Sequence, residues 1–177
     1  QIAGAVETAH RAGIVHRDIK PANILIDSST TPGTPKIADF GIARICDSTA
    51  ATRTAVGMGT LVYMAPEASA GVPPSPAKDV YALGIVLYQL ACGVPPFVGS
   101  PAYLVKMHSQ MAPGRPEGIP DQLWDLISGM LDKDPAKRPS VLEVYQTLAP
   151  LTTAVAGRPA APTLTEPPAA SPLPDRE

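Results

Sequence analysis

From Asp79 to Gly93 the sequence reads DVYALGIVLYQLACG, a run that would be apolar on nearly every side of a helix. Such a helix has no face to give to water, so other elements must wrap it. It contains Gln89 and is shorter than the about 20 residues that a bilayer span needs, which leaves the centre of a globular domain as its place. The rest of the chain supplies the wrapping. Ile2, Ala5, Val6, Ala9 and Ala12 follow the three-four spacing of one helical face, and Gly13 is placed to end that helix, so the pattern predicts a helix over 2–12. Similar patterns predict helices over 101–109, over 121–131 around Trp124, and over 140–148 around Val141, Val144 and Leu148. Two short β-prone runs, ILID at 24–27 and PKIAD at 35–39, flank the turn-forming SSTTPGT and predict a β-hairpin. The expected class is α+β, mainly helical with one short hairpin, and no internal repeat is evident.

Composition narrows the function classes. With 177 residues, 45% of them hydrophobic, the chain can bury a core of its own, and one domain is the natural count. A net charge of −2 and no basic cluster argue against a dedicated nucleic-acid binder, whose affinity would rest on neutralised phosphates. Cys46 and Cys92 lie far apart without metal-ligand spacing, which points to a reducing compartment and no disulfide framework. The chain opens on Gln1 with no charged segment leading into an apolar one, so no secretory signal is expected and the natural N-terminus is expected upstream. After Pro150 the sequence is LTTAVAGRPAAPTLTEPPAASPLPDRE, without helical or strand periodicity, and is expected to be a Pro/Ala-rich disordered linker over 151–177.

The polar chemistry is concentrated at the hairpin. IVHRDIKPANIL, from Ile14 to Leu25, crowds two cations, a carboxylate and an amide between apolar flanks, and KIADFGIAR, from Lys36 to Arg44, carries Asp39 after an apolar run. In an antiparallel hairpin the residue entering the first strand and the residue leaving the second share the open end, so Asn23 and Asp39 are expected to be neighbours. An amide oxygen and a carboxylate there are hard ligands suited to Mg2+ that also retains water and binds phosphates. Asp18, five residues before Asn23, would leave one carboxylate for proton handling. Asn or Asp alone at a strand end is more often a turn former; the combination carries the argument.

HRDIKPAN at His16–Asn23, DFG at Asp39–Gly41 and APE at Ala65–Glu67 follow one another in an order and spacing that resemble the eukaryotic-like protein kinases. GIVHRDIKPANILI with DFGIAR is most similar to the bacterial Ser/Thr branch, and the resemblance covers about residues 1–150, the mainly helical C-terminal lobe with its cleft hairpin. It implies transfer of the ATP γ-phosphate to protein Ser or Thr hydroxyls, with ATP and Mg2+ as cofactors. Asp18 would accept or orient the proton of the attacking hydroxyl, and Asn23 and Asp39 would hold the magnesium ions. Lys20 would place positive charge by the transferred group, and Thr60 in GTLVYMAPE would contact Asp18 and Lys20 beside the acceptor. Both favour Ser/Thr specificity, and Ile42 after the DFG hints at threonine. Leu25 is assigned to the nucleotide side of the cleft and, with His16 and Phe40, to the packing that connects the lobes. Glu67 and Arg138 of DPAKRPS resemble a buried ion pair that fixes the end of the activation segment, and Asp79 an anchor for the backbone of the catalytic loop. His16 reads as a core histidine rather than a base. Arg17 resembles the arginine that pairs with an activation-loop phosphate, for which Ser48, Thr49, Thr52 and Thr54 are candidates, Thr52 and Thr54 foremost.

The resemblance also marks what is absent. A competent kinase needs a glycine-rich loop, a strand lysine and a helix glutamate ahead of the catalytic loop. GMGTLV at Gly57–Val62 lacks the third glycine and lies next to APE, and Lys36 follows the catalytic loop. The N-terminal lobe is therefore expected as a missing partner encoded upstream, and the isolated chain is expected to be inactive, with apolar residues near Leu25 exposed. The alternative is a pseudokinase-like binding module or a decayed gene product. A cytoplasmic domain is expected, with no membrane segment in this chain; the tail resembles the linkers that in bacterial relatives lead to a membrane span, which implies an anchored parent.

Overall fold

The computed structural model describes residues 1–40, 58–154 and 162–173. In chain order the elements are α1 (Ile2–Arg11), β1 (Ile24–Asp27), β2 (Thr34–Ile37), α2 (Met58–Leu61), α3 (Pro66–Ser69), α4 (Pro76–Cys92), α5 (Pro101–Gln110), β3 (Met111–Ala112), α6 (Asp121–Met130), α7 (Val141–Ala154) and β4 (Ser171–Pro172). Short 3-10 turns at Pro21–Asn23 and Pro135–Lys137 complete them.

The fully apolar run is α4, and it is central. Asp79 through Val86, Tyr88 and Cys92 are all buried. Pro76 opens the helix where its missing N–H costs nothing, and Gly93, at φ 91°, closes it in the left-handed region that favours glycine. One side of α4 joins Val80, Leu83 and Val86 to Ala3 and Val6 of α1, Leu126 and Met130 of α6, and Val141 and Val144 of α7. Its other side joins Tyr81, Ile85, Tyr88 and Cys92 to Ala65, Ile127 and Leu131. Gln89, the polar exception within the run, accepts a hydrogen bond from the Tyr63 hydroxyl at 2.7 Å.

The helices fall where the spacing predicts, with shifts of detail. The buried face of α1 is Ala3, Val6 and Ala9, while Ala5 and Ala12 turn to solvent. The helix following Ser140 does not stop at residue 148 but continues through Pro150 to Ala154. β1 and β2 form the expected antiparallel hairpin, with Ile24 opposite Ile37 and Asp27 opposite Thr34. β2 starts one residue earlier and ends two earlier than PKIAD suggested.

Of the residues expected to form the linker over 151–177, the structure describes 151–154 and 162–173. Residues 151–154 belong to α7, and 162–173 lie against the domain, with β4 pairing antiparallel to β3 (Met111 opposite Pro172, Ala112 opposite Ser171). Prolines and alanines give no periodicity to read, yet an extended segment needs none when another part of the chain supplies its partners. Among the described residues no helix is long and apolar enough to cross a membrane.

Candidate active site

The polar stretch after α1 is held from beneath by Asp79. This carboxylate, 1% exposed in the first turn of α4, accepts the backbone N–H of His16 at 2.7 Å and of Arg17 at 2.8 Å. His10, in the last turn of α1, donates to it through Nε2 at 2.8 Å. A buried carboxylate is tolerable only when hydrogen bonds replace its water, and here the loop backbone provides them. Arg17 consequently sits at φ 73°, a conformation costly for a residue with a Cβ.

His16 is fully buried. Its Nδ1 accepts the Asp18 N–H at 3.3 Å, and its Nε2 faces the Ala38 carbonyl at 3.0 Å, so the proton lies on Nε2 and the ring ties the loop to the hairpin. Phe40 packs against it with ring centroids 4.6 Å apart. His16 thus packs against Phe40 and bridges the loop to the hairpin.

Asp18, Lys20, Asn23 and Thr60 come together. Lys20 Nζ donates to Asp18 Oδ2 at 2.8 Å and to Thr60 Oγ1 at 3.3 Å. Asn23, buried on the 3-10 turn, donates from Nδ2 to the Asp18 carbonyl at 2.8 Å and to Asp18 Oδ2 at 3.2 Å. One carboxylate oxygen is thereby fixed by a cation and an amide. Asp18 and Thr60 also line a cavity of about 160 Å³ whose far wall is Met64, Ala68, Val72 and Pro74.

The hairpin brings Asn23 to the same end as Asp39, one residue out of the expected register. The Asn23 carbonyl accepts the Ala38 N–H at 2.8 Å, so Asn23 stands opposite Ala38, with Asp39 next along the chain. Asp39 is exposed and, at φ 57°, is the second non-glycine residue in the left-handed region. The donor set suits Mg2+: with Nδ2 of Asn23 committed to Asp18, its Oδ1 and the Asp39 carboxylate are hard oxygens at the hairpin's open end. Among the described residues no group of three His, Cys, Asp or Glu that could hold a metal ion is found.

Glu67 and Arg138 form an ion pair. The guanidinium reaches both carboxylate oxygens, at 2.7 and 2.8 Å, and donates further to the carbonyls of Ala77 and Asp132. Burial alone would raise the Glu67 carboxyl, but its hydrogen bonds and the charge of Arg138 bring it below the ordinary value. Leu25 is 58% exposed on β1, and Ile26 beside it 63%. Thr52 and Thr54, with Ser48, Thr49 and Ile42, lie outside the described residues.

Sequence reasoning missed His10 as a partner of Asp79. The available signal was a histidine in the last turn of a helix, a position that favours cations but does not name an acceptor 69 residues away.

A family model for the protein kinase domain matches residues 1–148. The chain is 46% identical over 141 residues to the serine/threonine-protein kinase PkaA of Streptomyces coelicolor, covering 79% of this chain and 26% of that one. It is 42% identical over 175 residues to the serine/threonine-protein kinase PknA of Mycobacterium tuberculosis, covering 95% of this chain and 38% of the relative. With PkaB of Streptomyces coelicolor, also a serine/threonine-protein kinase, it shares 39% identity over 162 residues, 88% of this chain and 39% of the relative. The chain thus spans well under half the length of these relatives.

Proposed function

The chain belongs to the protein kinase family, and from that premise we propose that it carries the acid-base and metal end of a Ser/Thr protein kinase site within a longer protein. The observation that carries the reading is Lys20, whose Nζ bridges Asp18 Oδ2 and Thr60 Oγ1. Mg2+-bound ATP supplies the γ-phosphoryl group and neutralises charge on its own phosphates. The protein's part is positioning. Because Oδ2 of Asp18 is occupied by Lys20 and Asn23, Oδ1 is the oxygen for an acceptor hydroxyl. As the acceptor oxygen bonds to phosphorus and the bridge to the leaving diphosphate breaks, the hydroxyl proton passes to Asp18. Lys20 adds positive charge where negative charge is shared, and Thr60 keeps it there. Asn23 and Asp39 would hold the metal. The cavity bordered by Asp18, Thr60 and Met64 gives the residues around the acceptor a half-apolar seat.

In this reading Arg17 receives a phosphate at Thr52 or Thr54, added by the kinase itself, and the domain works in the cytoplasm, where ATP is supplied. The exposed Leu25 belongs under an ATP-clamping lobe contributed by the longer protein. The 177-residue chain alone is expected not to transfer phosphate at a useful rate.

The test is transfer of labelled γ-phosphate to a generic Ser/Thr protein by the longer protein, with Asp18→Asn and Lys20→Met variants. Loss of at least about 10³-fold in each, with the fold retained, is expected. Undiminished transfer in Asp18→Asn would remove the reading. Mass spectrometry of the active protein should find phosphate at Thr52 or Thr54; neither site modified would remove that part alone.

A further inference from the structure

Residues 162–173 are rich in proline and alanine, and the catalytic reading gives them nothing to do. Their contacts nevertheless form a consistent set. The Leu164 N–H donates to the Cys92 carbonyl at 2.8 Å, at the end of α4, and the Leu173 N–H donates to the Gln110 carbonyl at 3.2 Å, at the end of α5. Between these two bonds β4 runs antiparallel to β3. The Leu164 side chain packs onto the cluster of Tyr88, Cys92 and Ile127, and Leu173 lies with Trp124 and Leu131 along one cavity wall.

The domain side is shaped for this segment. A Cβ built on Gly114 would lie 2.6 Å from the Ala169 carbonyl oxygen and 2.7 Å from that of Pro168. Both neighbours are backbone and cannot swing away, so a glycine at 114 is what lets the tail pass. A Cβ on Gly93 would meet the side-chain methyl of Thr163 at 2.5 Å. Tyr88, buried in α4, donates its hydroxyl to the Gly114 carbonyl at 2.8 Å and fixes the loop that forms the groove floor.

The peptide side suits such a groove. Pro162, Pro167, Pro168 and Pro172 hold the segment extended before it docks, which lowers the entropy lost on binding. Prolines also remove backbone donors, and Leu164 and Leu173 place two of the remaining ones on carbonyls of the domain. Leu164, Pro167, Pro168, Ala170 and Leu173 are half-buried, while Thr163, Thr165, Glu166 and Ser171 face solvent. Half-buried apolar anchors are interspersed with solvent-facing residues, Pro162, Ala169 and Pro172 among them, as in a peptide lying along a groove.

We propose that the face built from Cys92–Gly93, Gln110–Gly114 and Trp124 is a binding site for extended proline-rich peptide, and that its resident occupant is residues 162–173 of the same chain. The site is separate from the phosphoryl-transfer cluster and does not depend on the kinase reading, so its test needs no activity.

Hydrogen exchange on the longer protein that carries this chain is the first measurement. The Leu164 and Leu173 amides should exchange at least about 100-fold slower than coil. Coil-like rates at both would overturn the proposal, and slow exchange that is lost on dilution would assign the tail to a second copy and overturn the same-chain occupant. Leu164→Asp should release the segment, bringing Leu173 to within about threefold of coil. A synthetic peptide of residues 162–173 added to that variant should then shift the Trp124 fluorescence saturably, and should fail to do so when Gly114→Val is also present. A Leu164→Asp chain that is folded but indifferent to the peptide would overturn the proposal. Should Leu164→Asp not fold, Gly114→Val alone must raise the exchange of Leu164 and Leu173 while leaving α6 amides unchanged; no rise would overturn it.

Discussion

Two carboxylates, Asp79 buried and Glu67 partly buried, support the site in different ways. Asp79 faces mainly backbone: two N–H groups of the loop and the His10 ring. Glu67 faces a full countercharge, held in two bonds by a guanidinium whose side chain is wholly buried. The Asp79 arrangement sets a conformation, because its acceptors dictate where the amides of His16 and Arg17 must lie. The Glu67 arrangement sets a distance, tying the start of α3 to a turn 71 residues later, with the carbonyls of Ala77 and Asp132 gathered on the same guanidinium. Disturbing the first should therefore harm catalysis more than stability, and disturbing the second should harm stability first.

The largest stability effect should come from Arg138→Ala. It strands Glu67 and removes donors from the Ala77 and Asp132 carbonyls, so about 3–5 kcal/mol of unfolding free energy is expected to be lost in denaturant titration. A loss below about 1 kcal/mol would erase the distinction between the two carboxylates. Asp79→Asn should cost less, about 2 kcal/mol, since it keeps the shape but sets an amide N–H against a donor of the loop. Its signature should be faster exchange at the His16 and Arg17 amides, with phosphate transfer in the longer protein falling by more than the stability loss explains.

Acid tests the Glu67 pair directly. The folded Glu67 carboxyl titrates below its ordinary value, so its contribution is fully present above the unfolded carboxyl's pKa and is lost as pH falls through the folded one. Stability measured from pH 6 to 3 should decline in wild type and decline less steeply in Glu67→Gln. Equal slopes would show that the pair contributes nothing through its charge. Thr60→Val should have the smallest effect on stability, within about 0.5 kcal/mol, while freeing Lys20 from one of its two partners and slowing transfer by about tenfold.

Much of this was legible in the sequence, and the remainder was not for identifiable reasons. The central place of α4 follows from residues 79–93 alone, because an all-apolar helix has one solution. The hairpin follows from two β-prone runs around a turn, and the meeting of Asp18, Lys20 and Asn23 from their closeness in sequence. Family likeness supplied what spacing could not, namely Thr60, Glu67 with Arg138, and Asp79 under the loop. Features that depend on a partner distant in sequence and lack a pattern of their own escaped: His10 on Asp79, the two-residue pairing of β3 with β4, and the seat of Leu164. Pro150 misled for a local reason, since a proline normally stops a helix and here α7 runs on to Ala154.

The backbone at Arg17 has a consequence for how such a chain can change. A side chain held at φ 73° is less comfortable there than glycine would be, so Arg17→Gly is expected to relieve about 1 kcal/mol of conformational strain. Selection for robustness alone would favour that replacement; under the role proposed for Arg17 as a phosphate-reading side chain, durability and regulation would compete at this one position.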